Sequence, residues 1–237
     1  MTVKLVLLIT TVASLLILEN KLPFFQFQNS VGSRIAANFG LGAINSILAS
    51  LWTIAVTQLV RLPQIDRGLV DSISNPVIAG SLSFLIIDLY MYCWHRSMHK
   101  LPLAWRFHRL HHTDRTMNVS TAYRFHPIEI ISSSVPKLLL IWCLGISSYF
   151  VLIYELAFTV VVALHHSNLA IPESIDRLLG LVVITPNLHR IHHSEVVAET
   201  NSNYGSVLNW WDKILGTNND RPDVINIQLG LTDEQIV

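Results

Sequence analysis

Histidine is the residue whose number and spacing promise chemistry in this sequence. All eleven histidines lie between residues 95 and 193. They fall in five places: His95 and His99 in HRSMH, His108, His111 and His112 in HRLHH, His126 in RFHPIE, His165 and His166 in HHSN, and His189, His192 and His193 in HRIHH. A chain of this composition is expected to hold about 0.02 HX2HH runs by chance, and this one holds two. Neutral imidazole is a common ligand of zinc, copper, iron and nickel. On a helix, residue i+4 lies about 40° from residue i and residue i+3 about 60° to the other side. HX3H therefore presents two imidazoles on one face. HX2HH presents three, and the splay predicts that the first two converge on one metal while the last reaches a second. His126 stands alone before Pro127, open to a ligand role or to a role behind the ligands or against substrate. Of His165 and His166, one is expected to bind metal and the other to be structural.

The elements that must position these rings are membrane helices. Half of the residues are hydrophobic and 14% are charged, where soluble domains sit near a quarter. Mean hydropathy is +0.45. The formal net charge is zero, so nothing points to nucleic acid or an acidic partner. Leu5 to Leu18 is uncharged, lacks a small-residue cleavage site after it, and reads as a short membrane helix or anchor. Ile35 to Val60, bracketed by Arg34 and Arg61, is long enough to cross a bilayer. Pro76 to Trp94 is a third span, interrupted by Asp88. Leu138 to His166 holds one charge, Glu155, and Gly145-Ile146-Ser147 marks a turn within it. The pattern predicts a hairpin of helices over 128–144 and 148–166, each about 25 Å long. A hairpin starts and finishes on one side, so all five histidine clusters can meet on one face of the membrane.

Other residues invite roles. Asp88 is ionisable inside a span, which makes it a functional candidate. It lies seven residues before His95, and its expected work is to accept a ring N–H from a ligand histidine. Residues 95–126 carry six Lys/Arg, Arg96, Arg106, Arg109 and Arg124 among them, against one acid, Asp114. The positive-inside rule then puts the site in the cytoplasm. The same charges suit lipid headgroups, an acidic electron donor or a solvated rim. Trp94, Trp105, Trp210 and Trp211 suit a membrane interface. Cys93 and Cys143, in apolar segments, read as inert buried thiols.

In order along the chain, DLYMYCWHRSMH, WRFHRLHHTD, TAYRFHPIE, HHSN, TPNLHRIHHS and NYG with WWDKILGT resemble the fatty acid hydroxylase/sterol desaturase superfamily of membrane di-iron enzymes. The likeness runs from about Ser83 to Thr217. It implies two iron ions that activate O2 and hydroxylate or desaturate a lipid C–H bond. Carried over residue by residue, one iron takes His95, His108, His111, His189 and His192, and the other takes His99, His112, His166 and His193. Asp88 and Asn187 are the candidate catalytic-site residues besides the ligands. Asn187, Asn203 and Asp212 match family positions and either support ligands or cap helices and turns. The expected fold is an all-α integral membrane bundle of about four spans, including the hairpin, under a histidine-rich cytosolic di-metal cap. Residues 1–80 would form N-terminal membrane helices, 81–218 the di-metal domain and 219–237 a tail. The lipid is expected to enter from the bilayer between the spans, and because no GXGXXG fingerprint or paired-cysteine cluster motif occurs, electrons are expected from a separate donor protein. The competing readings are a histidine-rich membrane metal-binding or transport protein and an aldehyde-cleaving, lyase-type member of the same superfamily.

Overall fold

The computed structural model describes residues 2–27, 32–59 and 68–232. These residues are helical apart from turns and isolated bridges. In chain order the α-helices are α1 Thr2–Lys21, α2 Gly32–Leu59, α3 Pro76–Lys100, α4 Pro102–His112, α5 Pro127–Leu144, α6 Ser148–His166, α7 Glu173–Leu179, α8 Pro186–His192, α9 Val197–Thr200 and α10 Trp210–Ile214, with 3-10 turns at Val119–Tyr123 and Val224–Asn226. Five of them, α1, α2, α3, α5 and α6, are long and apolar enough to cross a membrane. The last apolar stretch of the sequence supplies two of the five, as the hairpin reading expects.

Local chemistry sets the helix ends. Asn75 caps α3 with its side-chain oxygen, and Pro76 follows at the first helical position, where its missing N–H costs nothing. Ser147 caps α6. Between α5 and α6, Gly145 takes a left-handed conformation (φ 66°), which glycine adopts without steric cost. Gly68 packs so closely on Gly145 that a Cβ there would lie 2.4 Å from the Gly145 nitrogen. The Val70 amide donates to the Leu144 carbonyl at 2.9 Å. The segment that precedes α3 therefore rests on the tip of the hairpin.

These contacts fix the direction of each helix. α3 and α6 run from the hairpin-tip side towards the histidines, and α5 runs away from them. α1 runs parallel to α6: Lys4 near its start pairs with Glu155 at 2.7 Å, and Glu19 near its end accepts from the Asn168 amide at 2.9 Å. α2 begins on the histidine side, where Asn38 donates to Ser120 and Asp114. α6 is the centre of the bundle, packed against α1, α3, α8 and the Val119–Tyr123 turn. A core of Val70, Ile87, Tyr154 and Val207 joins α3 and α6 to the C-terminal segment. A second core, Met117, Ile191, Ile227 and Leu229, fills the cap beyond the membrane helices.

One expectation changes here. Cys93 and Cys143 are exposed on the outer surface of their helices, where an apolar span faces lipid, and are not buried thiols. The basic residues flanking the first loop and filling the box region also predict that the loop around Asp66 lies on the side opposite the histidines, and that loop is outside the described residues. The direction of the helices makes a prediction. A reporter inserted in the 145–147 turn and one inserted after Thr217 should report opposite sides of the membrane, and the same side for both would overturn this arrangement.

Candidate metal centre

Nine histidines meet at one end of the bundle in two groups. The first holds His95, His99, His108, His112 and His192, and the second His111, His166, His189 and His193. Within each group one ring nitrogen per residue lies within 4.8 Å of all the others. α3 brings the first two rings, α4 the HRLHH set, α6 His166, and α8 with its cap residue His193 the rest. All but His95 and His99 are buried.

This grouping differs from the partition expected on the resemblance and on the splay. His95 with His99, His108 with His112, and His189 with His193 share a group, while His111 and His192 cross to the other. The reason is angular. The i, i+4 pair is the closest in azimuth, about 40° apart, so those two rings face one point, and the ring between them turns towards the neighbouring point. α4 thus gives two rings to the first group and one to the second, and α8 does the reverse.

The ring nitrogens test whether metals fit. His95 Nδ1 donates to the Tyr204 carbonyl at 2.8 Å and His192 Nδ1 to the Ser202 carbonyl at 2.7 Å. A carbonyl only accepts, so each neutral ring holds its proton on Nδ1 and a lone pair on Nε2. Those two Nε2 atoms are 3.0 Å apart. In the second group, His166 Nδ1 donates to the Val162 carbonyl, and its Nε2 lies 3.1 Å from His111 Nε2 and 2.9 Å from His189 Nε2. On His95 and His192 two lone pairs therefore face each other and repel unless a cation lies between them, while in the second group His166 Nε2 turns its lone pair to His111 and His189. A proton is a poor candidate, because burial and the neighbouring imidazoles hold His111, His112, His189, His192 and His193 well below the usual histidine range. The donor set fits nitrogen-liganded metal ions, one per group.

The other residues singled out in the sequence lie outside these groups. His126 caps α5, its Nδ1 accepting from the Ile128 amide at 3.2 Å. His165 is buried beside the second group, its ring 4.0 Å from that of His189. Asp88 touches no histidine. It accepts from Tyr154 Oη at 2.9 Å, Trp211 Nε1 at 2.9 Å, and the amides of Val207 and Leu208 at 3.3 and 3.1 Å. The expected contact with a ligand ring is thus corrected: two turns before His95, Asp88 points at the incoming C-terminal segment instead. The same contact takes Trp211 out of a purely interfacial role. Asn187 accepts from Arg190 at 2.7 Å and donates its amide to Asp176, away from the rings. Asn203 adopts φ 51° and donates to the carbonyls of Leu188 and Asn219. Asp212 accepts from the amides of Tyr204 and Gly205 at 2.8 and 2.7 Å, which fixes the peptide whose carbonyl holds His95. Arg124 ties Asn38 to Leu110 and Thr113.

Three residues escaped the sequence reading. Tyr204 is fully buried, with its ring 5.2–5.8 Å from those of His95, His99 and His192. Glu19, just beyond the uncharged first stretch, accepts from the amides of Val119 and Asn168 and so ties the Val119–Tyr123 turn to the chain just after His166. Glu129 accepts from His108 Nδ1 at 2.8 Å. Its signal was its place in the first turn of a helix opened by His126-Pro127.

Residues 81–217 match the sequence model of the fatty acid hydroxylase family. The chain belongs to that family. An ornithine lipid hydroxylase of Rhizobium tropici is 33% identical over 64% of this chain and 45% of its own length. The human alkylglycerol monooxygenase is 33% identical over 57% of this chain and 29% of its own. The human cholesterol 25-hydroxylase is 28% identical over 56% and 48%. The chain thus spans less than half the length of these curated relatives. No solved structure matches it. The family match covers every histidine of both groups, and the five apolar helices make this member a multi-pass membrane protein.

The position of Asp88 yields a prediction. Asp88→Ala would strand four buried donors, each costing about 1–3 kcal/mol when unsatisfied. The variant should melt well below wild type in detergent, with Asp88→Asn intermediate. Unchanged melting together with weakened metal binding would return Asp88 to the role first expected of it.

Proposed function

We propose that the protein is a membrane-bound, O2-dependent di-iron oxidoreductase that hydroxylates a lipid C–H bond. The observation that carries this reading is the convergence of nine imidazoles into two adjacent groups, with the Nε2 lone pairs of His95 and His192 facing each other at 3.0 Å. Iron bound there supplies reductive activation of O2. The chain's own residues do the rest. His95, His99, His108, His112 and His192 hold one ion, and His111, His166, His189 and His193 hold the other. The carbonyls of Tyr204, Ser202 and Val162 keep the protons of His95, His192 and His166 on Nδ1, leaving Nε2 free to bind. Burial of the rings excludes bulk water from the reacting centre.

The rings sit where α3 and α6 end, so a lipid can reach them from the bilayer with its tail still among the helices. The basic excess over residues 95–126 supports a cytoplasmic site. Electrons come from a separate donor protein. The printed activities of the relatives, hydroxylase and monooxygenase, favour hydroxylation over desaturation. A metal transporter would spread its ligands along a path through the spans, and here they gather at one end. The lyase reading has no observation in its favour.

The test is lipid mass spectrometry of cells expressing the protein against cells lacking it. A lipid that gains one oxygen is expected, and it should vanish in His111→Ala and His192→Ala, one from each group. A product that loses two hydrogens would replace hydroxylation with desaturation. Full activity in either variant would remove the histidine groups from the chemistry.

A further inference from the structure

The two groups are not held alike. In the first, three rings have Nδ1 anchored: His95 on the Tyr204 carbonyl, His192 on the Ser202 carbonyl, and His108 on Glu129. In the second, His166 alone has an anchored Nδ1, on the Val162 carbonyl, and the Nδ1 atoms of His111, His189 and His193 have no partner among the described residues. Glu129 is also the one carboxylate that contacts a ring of either group among the described residues. Asp88 and Asp212 are occupied by backbone and side-chain donors elsewhere, and so is Glu19. Glu129 is 5% exposed. It stands in the first turn of α5, where unpaired amides favour a negative charge and Pro127 stiffens the start of the helix. Its Oε1 lies 2.8 Å from His108 Nδ1, and its Oε2 has no partner among the described residues.

We propose that Glu129 is a positioning residue that makes the two metal positions unequal, by locking His108 with its proton on Nδ1 and strengthening Nε2 as a donor to the first position only. The proposal rests on the metal-centre reading above. The physics is that of a carboxylate behind a ligand imidazole. A neutral carbonyl fixes the ring's tautomer, whereas a carboxylate also draws the Nδ1 proton towards itself and raises the electron density on Nε2. The first position gains this effect through one ring, and the second gains it through none. The two ions therefore differ in how tightly they are held, and the first is the tighter.

The experiment is the release of iron from the purified full-length protein into a chelator, followed spectroscopically. Wild type should release its two ions in two phases. Glu129→Gln keeps the shape and an acceptor oxygen but removes the charge, and should speed the slow phase about 10–100-fold while leaving the other phase unchanged. Glu129→Asp, which restores the charge at a shorter reach, should recover part of the slow phase. Pairing within a group should be non-additive and pairing across groups additive. His108→Ala should thus be no worse when Glu129→Gln is added, whereas His111→Ala with Glu129→Gln should show both defects, a weakened second ion and a slow phase sped by the same about 10–100-fold. Equal acceleration of both phases would make Glu129 a general support of the fold and overturn the proposal. So would wild-type release from Glu129→Gln and Glu129→Asp alike. A wild-type protein that holds no iron would instead overturn the metal-centre reading itself, which separates the two failures.

Discussion

Two imidazole nitrogens 3.0 Å apart, each with a lone pair aimed at the other, repel unless positive charge lies between them. His95 and His192 build that situation in the first group, and in the second His166 turns its Nε2 lone pair to His111 and His189. Burial makes protons unsuitable as the positive charge, because a buried imidazolium loses its hydration, and among the described residues only His108 has a carboxylate against its ring. The fit to cations is therefore a property of the folded arrangement and not only of its composition. The arrangement of the bundle serves this convergence. α3, α4, α6 and α8 each deliver rings to one end, and the hairpin tip and Gly68 close the other end.

Bringing nine rings together needs a scaffold that holds several short cap segments against the ends of the membrane helices. Buried carboxylates do this work. Glu19 clasps the amides of Val119 and Asn168, Asp88 clasps those of Val207 and Leu208 along with Tyr154 and Trp211, and Asp212 clasps those of Tyr204 and Gly205. Arg190 plays the same part with opposite sign. Fully buried against the face of Phe24, it donates to the carbonyls of Ser167 and Leu169 and so ties α8 to the chain just beyond His166. Each charge satisfies backbone groups that a loop buried under helices would otherwise leave unpaired. Glu129 differs from these three carboxylates, because it meets a ligand ring directly.

Much of this was legible in the sequence. The apolar stretches and the Gly145 turn predicted the helices and the hairpin, and the hairpin placed all histidine clusters on one side. The spacing singled out the HRSMH, HRLHH and HRIHH rings that gather at one end, only the resemblance preferred His166 to His165, and His126 stood apart from the boxes. The partition between the two groups was not legible, because it depends on how α4 and α8 are turned towards each other, a relation between segments some 80 residues apart. The same holds for Asp88, whose partners lie on α6 and about 120 residues downstream. Its nearness to His95 along the helix suggested the wrong neighbour. Glu129 and His108 are 21 residues apart on different helices, and no periodicity joins them.

The central claim is that two metal ions sit in two all-nitrogen groups. Metal analysis combined with X-ray absorption on protein purified from iron-replete cells tests it most directly. The account predicts two irons per chain, each with protein ligands that are imidazole nitrogens. One metal per chain, or a coordination shell dominated by carboxylate oxygen, would contradict it.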